Sequence, residues 1–403
     1  MHSGKRRRTL LLTIATAIVA LTIAAIATSR PQEQLDAAAP EGDGLAGALA
    51  LTVHSPIFIN TDFGFTNASG VVWGAGTESD PYVIEGWDIN ASTANGIQLW
   101  NTRAHFVVRD CFLHGGYPGY LGVYLYNCTN GTVIGNVCSN NSWGMYLYLA
   151  YDNTLSGNNC SGNDEAGIRT YDSWRNSILN NTCTDEQYGI LLFYPSNFTV
   201  RGNNCSADTI VGLYAQSSDN STFENNTLRL NGQDGMTIGY SRNSTVTGNT
   251  CDGNIRNGVR LYSSENILVF NNSISNNTGY GLQASGLADS VDNWIWNNTF
   301  YHNNQGGDVY SPLHIQGFDD GTANHWNSTD GFGNFWSDWT APDIDGDGIV
   351  DVPYDIAGGL GVQDSFPQTT VQTPIPEFGA AIVPIMLLAI AMMALRAGRA
   401  RTR

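Results

Sequence analysis

Short segments of alternating apolar and polar residues recur at a nearly constant interval along the chain. Each segment begins with a Gly-apolar-x-apolar unit, and consecutive units start 22 to 26 residues apart. Alternation with a period of two is typical of a strand with one buried face, and no segment between the units shows a helical period. The units begin at Gly96, Gly122, Gly144, Gly167, Gly189, Gly212, Gly235, Gly258 and Gly281. Coils of this length, each with two or three short strands, predict an all-β parallel β-helix in which every coil pairs with the next.

Other repeat architectures fit the pattern less well. Leucine-rich repeats have a similar length but need a dense leucine pattern, and propeller blades need about 40 or more residues per repeat. A second apolar position keeps the interval of the first, at Phe106, Val133, Leu155, Ile178, Val200, Phe223, Val246, Val269 and Ile295. We therefore expect this position to form a second buried column of the β-helix.

Cysteines occupy one phase of the repeat. They stand at Cys111, Cys138, Cys160, Cys183 and Cys205, and the phase continues with Leu228, Cys251, Ile274 and Phe300. Exchange with large apolar residues indicates that these side chains point inward. Disulfides or a metal ladder are alternatives in an exported protein, but in-register parallel side chains are poorly angled for a disulfide. We favour a buried column of thiols, and we interpret the out-of-phase Cys128 as a small turn residue.

Asparagine marks the turns between the predicted strands. Pairs recur at Asn180-Asn181, Asn203-Asn204, Asn225-Asn226, Asn271-Asn272 and Asn297-Asn298. Stacked asparagine side chains hydrogen-bond along a ladder and satisfy the backbone groups of turns. The same composition creates sixteen Asn-x-Ser/Thr sequons, so we expect a glycoprotein if the chain is exported.

Charged residues are few, and the body of the chain is acidic. Only 13% of the residues are charged, and lysine occurs once, at Lys5. A helix-rich soluble enzyme carries about 25% charged residues. Between Pro31 and Leu395, nine arginines stand against 36 acidic residues, a net charge of −27. A nucleic-acid-binding surface needs a basic patch, so we predict that no nucleic acid is a partner.

The two termini hold the other nine basic residues. Lys5, Arg6, Arg7 and Arg8 precede an apolar run, which predicts a signal peptide or an N-terminal anchor over residues 1–30. At the other end, Pro376-Glu377-Phe378 comes before an apolar run and a basic tail. This order resembles the PEF-type sorting signals that archaeosortases read, whereas the plain alternative is a transmembrane anchor. Either alternative places the body on the outer face of the cell membrane.

An aromatic stripe is predicted on the outer side of the first coils. If the Gly-apolar-x-apolar strand buries its second and fourth residues, the third and fifth face solvent. We define the aromatic stripe as Trp100, Tyr124, Tyr126, Tyr146, Tyr148, Tyr171 and Phe193. Exposed aromatic surface of this size usually has a partner, and sugar rings stack on such side chains. The alternative is that the stripe only stabilises neighbouring strands.

Residues able to catalyse a reaction on a polysaccharide are scarce. Lyases and epimerases need a base and a charge-neutralising cluster, but the body has no lysine, and Arg169 and Arg260 lie four coils apart. The possible acids Asp164, Glu165, Asp172, Asp185 and Glu186 fall mainly in predicted turns. We interpret these acids as solvated turn residues.

The sharpest motif is an Asp-rich loop. Carboxylates at alternate positions converge when a loop wraps a hard cation, and the glycine after the third residue allows a sharp turn. The predicted ligands are Asp343, Asp345, Asp347, the carbonyl of Ile349 and Asp351. Tyr354 stands where an EF-hand loop has a bidentate acid, so Asp355, Asp364 or water would complete the site. We predict a structural calcium site, with a solvated acidic loop as the alternative.

With these motifs in place, the chain resembles the NosD-type right-handed β-helix family and its archaeal surface members. The resemblance covers residues 52–367 and includes Gly74-Ala75-Gly76-Thr77 near the start and Gly333-Asn334-Phe335-Trp336-Ser337-Asp338-Trp339 near the end. It implies a right-handed helix of three sheets, carbohydrate binding and, for the founding members, copper delivery. Copper transfer needs soft ligands, and both body methionines, Met145 and Met236, fall in the inward phase.

The domain organisation follows from these segments. We expect a signal peptide or anchor over 1–30, a linker over 31–51, an N-terminal cap over 52–95 and the β-helix over 96–315. A C-terminal cap with the calcium loop spans 316–368, a linker 369–375, and the motif, membrane segment and tail 376–403. We predict an anchored, non-catalytic surface protein that binds glycans or partner proteins at the cell envelope. A polysaccharide lyase or epimerase and a copper-maturation protein are the alternatives.

Overall fold

Three parallel β-sheets surround one apolar core in the computed structural model, which describes residues 51–286, 290–359 and 361–371. The chain visits the sheets in turn, so that each coil contributes about one strand to each sheet. The result is an all-β, right-handed parallel β-helix of about nine turns. The predicted fold class is therefore confirmed for residues 51–371, apart from those outside the described ranges.

The strands are short, and their bounds follow the predicted repeat. Sheet 1 consists of Ile57–Ile59, Ile97–Trp100, Leu121–Tyr126, Trp143–Tyr148, Ala166–Tyr171, Tyr188–Phe193, Val211–Gln216, Met236–Gly239, Val259–Tyr262, Leu282–Ser285, Gly317–Asp319 and Ala357–Gly358. Sheet 2 consists of Tyr82–Glu85, Phe106–Arg109, Gly131–Ile134, Thr154–Ser156, Ser177–Leu179, Thr199–Arg201, Thr222–Glu224, Thr245–Thr247, Leu268–Phe270 and Trp294–Trp296.

Sheet 3 has two parts that single bridges through Asn159 join. Its strands are Thr52–Val53, Trp87–Asn90, Phe112–His114 and Val137–Ser139, then Thr182–Thr184, Asn204–Ser206, Thr227–Arg229, Thr250–Asp252, Ser273–Ser275, Thr299–Tyr301 and Phe335–Trp336. An antiparallel pair, Tyr354–Asp355 and Gln363–Asp364, follows near the end, and two 3-10 helices, Asp62–Gly64 and Asn67–Ser69, lie near the start.

The glycine of each repeat unit is required by close packing between coils. A Cβ atom on Gly144 would lie 2.5 Å from the carbonyl oxygen of Gly167 and 3.0 Å from the Cβ of Cys160. No side chain fits at that separation, so the repeat keeps glycine where the turn from sheet 3 meets sheet 1. The interval of the repeat thus reflects the stacking distance between coils.

The core consists of inward columns, with two differences from the predicted ones. Val133 pairs with Val108, not with Phe106, because the early coils are longer than the later ones. Cys138 pairs with Leu113, so Cys111 is not the first member of the cysteine column. All seven cysteines are buried and free, which agrees with the predicted column of thiols.

Asparagine side chains form ladders inside the helix. In the longest one, each side-chain amide donates to the Oδ1 atom of the next asparagine and to a backbone carbonyl; Asn158, for example, donates to Asn181 at 2.9 Å and to the carbonyl of Val133 at 2.9 Å. Its members are Asn136, Asn158, Asn181, Asn203, Asn226, Asn249, Asn272, Asn298 and Asn334. Cys111 occupies the position before Asn136, whose Oδ1 accepts its backbone N–H.

The C-terminal cap explains the motif around Trp336. The indole stacks on Phe300 of the last full coil at 4.3 Å and on Tyr354 at 4.1 Å, so three rings close the end of the core. The Oδ2 atom of Asp364 accepts hydrogen bonds from the indole N–H of Trp336 and the backbone N–H of Asn334. This carboxylate therefore ends the long asparagine ladder.

The predicted signal peptide (1–30), most of the first linker (31–51), and the motif, membrane segment and tail (376–403) lie outside the described residues. Within the described ranges, no helix has both the length and the apolar character needed to cross a membrane.

Candidate functional site

The predicted aromatic stripe lies on the outer side of sheet 1. Its strands pair in register, so that Trp100 stands beside Tyr126, Tyr126 beside Tyr148, Tyr148 beside Tyr171 and Tyr171 beside Phe193. The intervening leucines, such as Leu147, are fully buried. Strand alternation therefore places one row of rings outside for every row of aliphatic side chains inside.

The rings of the stripe contact one another from coil to coil. Ring centroids are 5.3 Å apart for Trp100 and Tyr126, 5.4 Å for Tyr126 and Tyr148, and 5.6 Å for Tyr148 and Tyr171. A parallel second row contains Tyr124 and Tyr146, which stack at 5.2 Å. Most of these rings are half-buried by their neighbours, so the stripe is a continuous aromatic surface with hydroxyl groups on it.

Four further aromatic residues border the stripe and were not predicted. Trp143 and Tyr188 each precede a repeat glycine by one residue, because the six-residue strands begin earlier than the repeat unit does. Tyr194 is exposed beside Tyr171, and Tyr214 contacts Phe193. Tyr214 holds a third position in its unit, where the sequence signal was available.

Arg169 lies among these rings. Its guanidinium carbon is 4.3 Å from the ring centroid of Trp143, 5.5 Å from that of Tyr146 and 5.8 Å from that of Phe193. Cation–π contacts of this kind hold an arginine over aromatic faces. The Nε atom of Arg169 is buried and has no hydrogen-bond partner.

The tyrosine hydroxyls of the stripe are neutral donors and acceptors. Burial raises the pKa of Tyr124 to about 12 and raises the pKa of Tyr146 in the same direction. These groups therefore carry no charge at any physiological pH, and they can hydrogen-bond to ligand hydroxyls in either sense.

The acids that the sequence placed in solvated turns divide into two groups. Asp164, Glu165, Asp172 and Asp185 are exposed, as predicted. Glu186 is buried, so the prediction of a solvated residue is wrong there. Its position repeats that of Asn163 one coil earlier, 23 residues before it, and this alignment is the signal that could have placed it inside.

Glu186 has a buried acidic neighbour, Asp208, which the sequence analysis missed. The carboxyls occupy successive positions of a second amide ladder, between Asn163 and Asn231. Burial, together with the neighbouring carboxyl of Asp208, raises the pKa of Glu186 far above its ordinary value, and burial raises the pKa of Asp208 to about 8. Both carboxyls are inside the coil, so no substrate on the surface reaches them.

The Asp-rich loop brings three of its predicted ligands together. One carboxylate oxygen from each of Asp343, Asp345 and Asp351 lies within 4.8 Å of the others. The Oδ1 atom of Asp347 accepts the backbone N–H of Ile349 at 2.8 Å. Oxygen ligands at alternate loop positions are the donor set that Ca²⁺ prefers, so the converging carboxylates fit this ion.

The two acids suggested for completing the calcium site differ in their availability. Asp355 is exposed, and its carboxylate contacts Gln363 and Tyr310. Asp364 is fully buried, and both of its oxygens accept hydrogen bonds in the C-terminal cap. Asp364 therefore cannot complete the site.

Comparison with known families settles the membership of this β-helix. Residues 65–194 and 170–341 match the NosD family, described as periplasmic copper-binding protein. The matched segments together cover more than half of the chain. The chain belongs to the NosD family. No curated protein matches it.

Solved structures similar to this NosD-family protein share its fold at low sequence identity. The mannuronan C-5 epimerase AlgE4 A-module of Azotobacter vinelandii is 14% identical, with a TM-score of 0.46 over 62% of this chain and 83% of that one. The Dettilon tailspike protein is 15% identical, with a TM-score of 0.49 over 68% and 61%. The periplasmic alginate epimerase AlgG is 16% identical, with a TM-score of 0.37 over 60% and 70%.

The soft donors of the described chain do not fit a copper site. The thiols, as well as Met145 and Met236, point into the core and are buried. Among residues 51–371 that the structure describes, the Asp-rich loop supplies the one set of three metal-ligand side chains that converge, and these are hard oxygen ligands. Copper prefers thiolate, thioether and imidazole ligands, so the family description does not extend to these residues.

Proposed function

We propose that this NosD-family protein is an exported, surface-anchored, non-catalytic β-helix protein that binds glycans of the cell envelope through the aromatic stripe. The observation that carries the proposal is the in-register row of outward rings from Trp100 to Phe193. Family membership is consistent with export. Partner proteins of the envelope are the alternative occupants of the same surface.

The chemistry of the stripe suits a saccharide chain. A sugar ring has an apolar C–H face and a rim of hydroxyls, and tyrosine offers the complementary pair of an apolar ring and a polar hydroxyl. Rings repeat along the helix at the spacing of its coils, about 4.8 Å. A linear glycan can therefore contact several coils in succession.

Two further elements belong to the proposal. The loop carboxylates of Asp343, Asp345, Asp347 and Asp351, with the carbonyl of Ile349, would hold a structural Ca²⁺ ion next to the C-terminal cap. Residues 376–403 would anchor the protein to the membrane, either directly or through the exchange of the segment for a lipid. The body, which carries the stripe, would then face the envelope.

A glycan array probed with the full-length protein tests the proposal. We expect retention on a defined subset of saccharides, and we expect it to persist at high salt because ring stacking is weakly screened. Tyr171, the most exposed ring of the stripe, contributes to it; Tyr171→Ala is therefore expected to reduce retention. Absence of retention on every saccharide, at low and high salt and with or without calcium, would contradict glycan binding.

A further inference from the structure

The guanidinium of Arg169 is held by aromatic rings and lacks a hydrogen-bond acceptor. Arginine has five N–H donors in a planar fork, and in the described part of the chain no oxygen lies within hydrogen-bond distance of any of them. The closest acid is Glu165, whose Oε2 atom is 3.7 Å from a terminal nitrogen of Arg169. That oxygen already accepts the indole N–H of Trp143 at 2.7 Å.

Other arginines of the β-helix are paired in the ordinary way. Arg175 binds Asp152 through two nitrogens, and Arg229 binds Asp252 in the same manner. The body has four acidic residues for every arginine, so an acceptor for Arg169 was easily available to the sequence. Unused donors beside a ring surface instead point to an acceptor supplied from outside.

Arg260 repeats this arrangement farther along the same column of sheet 1. The strand register leads from Arg169 through Leu191, Tyr214 and Thr237 to Arg260. Its guanidinium lies over the ring of Tyr262 at 4.7 Å, and its Nε atom is also buried with no partner. Four coils separate the two arginines, which corresponds to about 19 Å along the helix.

We infer that the aromatic stripe and the column from Arg169 to Arg260 bind acidic glycans, whose carboxylate or sulfate groups occupy the two guanidinium forks. This inference rests on the proposed glycan binding and names the ligand class. Planar oxyanions accept two parallel hydrogen bonds from one guanidinium. Recognition of this kind also opposes the repulsion that an acidic body exerts on a polyanion, which limits binding to chains that place an oxyanion at the arginines.

Affinities of the full-length protein for three oligosaccharides of equal length test this inference: a hexuronate oligomer, a sulfated oligomer and an uncharged glucan. Arg169→Gln and Arg260→Gln should each weaken binding of the acidic oligomer by about 10-fold or more, because charged hydrogen bonds are lost. Glu165→Gln keeps an acceptor for Trp143 and removes a competing negative charge, so it should strengthen binding. Arg229→Gln, on sheet 3, is the control of equal charge.

The outcomes separate the ligand class from glycan binding itself. A loss in Arg169→Gln but not in Arg229→Gln, for either acidic oligomer, supports the inference, and the oligomer affected identifies carboxylate or sulfate. Binding of the uncharged glucan alone, or acidic-glycan affinities within twofold of the wild type in both arginine variants, overturns the inference and leaves glycan binding in place. Failure to bind any oligomer overturns both.

Discussion

The backbone N–H of Glu186 donates a hydrogen bond to Oδ1 of Asp208 at 3.1 Å. In the neighbouring coils this interaction joins amides: Asn141 donates to Asn163, and Asn231 donates to Asn254. Two carboxyls thus replace two amides in a buried ladder. Since a buried carboxylate is costly without a cation, the pair keeps protons that exposed acids have lost at neutral pH.

The carboxyl pair makes the protein less stable as pH rises. In the unfolded chain both groups ionise near pH 4, whereas burial raises the pKa of Asp208 in the folded protein to about 8. The folded state therefore holds more protons between about pH 4 and pH 8, and the free energy of unfolding falls across this interval. Denaturant unfolding at several pH values measures this slope.

Asp208→Asn restores the amide of the ladder and removes the titrating group. We expect this variant to be more stable by about 1–3 kcal/mol near pH 8, with a flatter dependence on pH. Asp292→Asn changes an exposed acid and should leave the slope unchanged. A slope that is the same in the wild type and in Asp208→Asn would show that the pair is not the cause.

Adjacent asparagines are expected to differ sharply in their contribution to stability. The side chain of Asn158 donates two hydrogen bonds and accepts two from Asn136, all inside the helix. Asn158→Ala leaves buried partners without hydrogen bonds and should cost about 3 kcal/mol. Asn159 is exposed, and Asn159→Ala should cost about 1 kcal/mol or less. Equal losses in the two variants would contradict the ladder.

The cysteines should remain reduced thiols inside the folded protein. Burial raises the pKa of Cys111 to about 11 and that of Cys251 to about 12, so these thiols are neutral and unreactive. We expect alkylation without a reductant to modify none of the seven cysteines in native protein and all seven after unfolding. Mass spectrometry counts the adducts, and a shortfall after unfolding would indicate disulfides.

Calcium is expected to stabilise the protein through the Asp-rich loop. An ion that binds only the folded state raises the free energy of unfolding in proportion to the logarithm of its concentration. A chelator should therefore lower the melting temperature of the wild type but not of Asp345→Ala. Asp330→Ala, which removes another exposed acid, should keep the response to the chelator. Insensitivity of the wild type would favour a solvated acidic loop.

The repeat interval was sufficient to predict the fold and the location of the aromatic stripe. Gly144 and Gly167 mark the stacking of coils, and alternation after each glycine places Tyr148 and Tyr171 outside and in register. Both inferences depend on local geometry that every coil repeats. The early columns were misaligned at Phe106 and Cys111 because the first coils are longer.

Features that depend on contacts between coils were not predictable in the same way. Glu186 has the residue type of a solvated turn, and only its stacking on Asn163 and Asp208 places it inside. The ring cage of Arg169 includes Trp143, which lies outside the repeat unit and is brought near by strand pairing. The alignment of coils contains this information, whereas a single unit does not.

The most direct measurement of the central proposal is the affinity of the double variant Tyr126→Ala/Tyr148→Ala for a saccharide that the wild type retains. Phe270→Ala/Trp296→Ala is the matched control, because it removes a stacked, half-buried pair from the outer side of sheet 2. We predict a loss of about 10-fold or more in the stripe variant alone, with similar melting temperatures for both. Unchanged affinity in the stripe variant, or equal losses in both, would contradict glycan binding by the aromatic stripe.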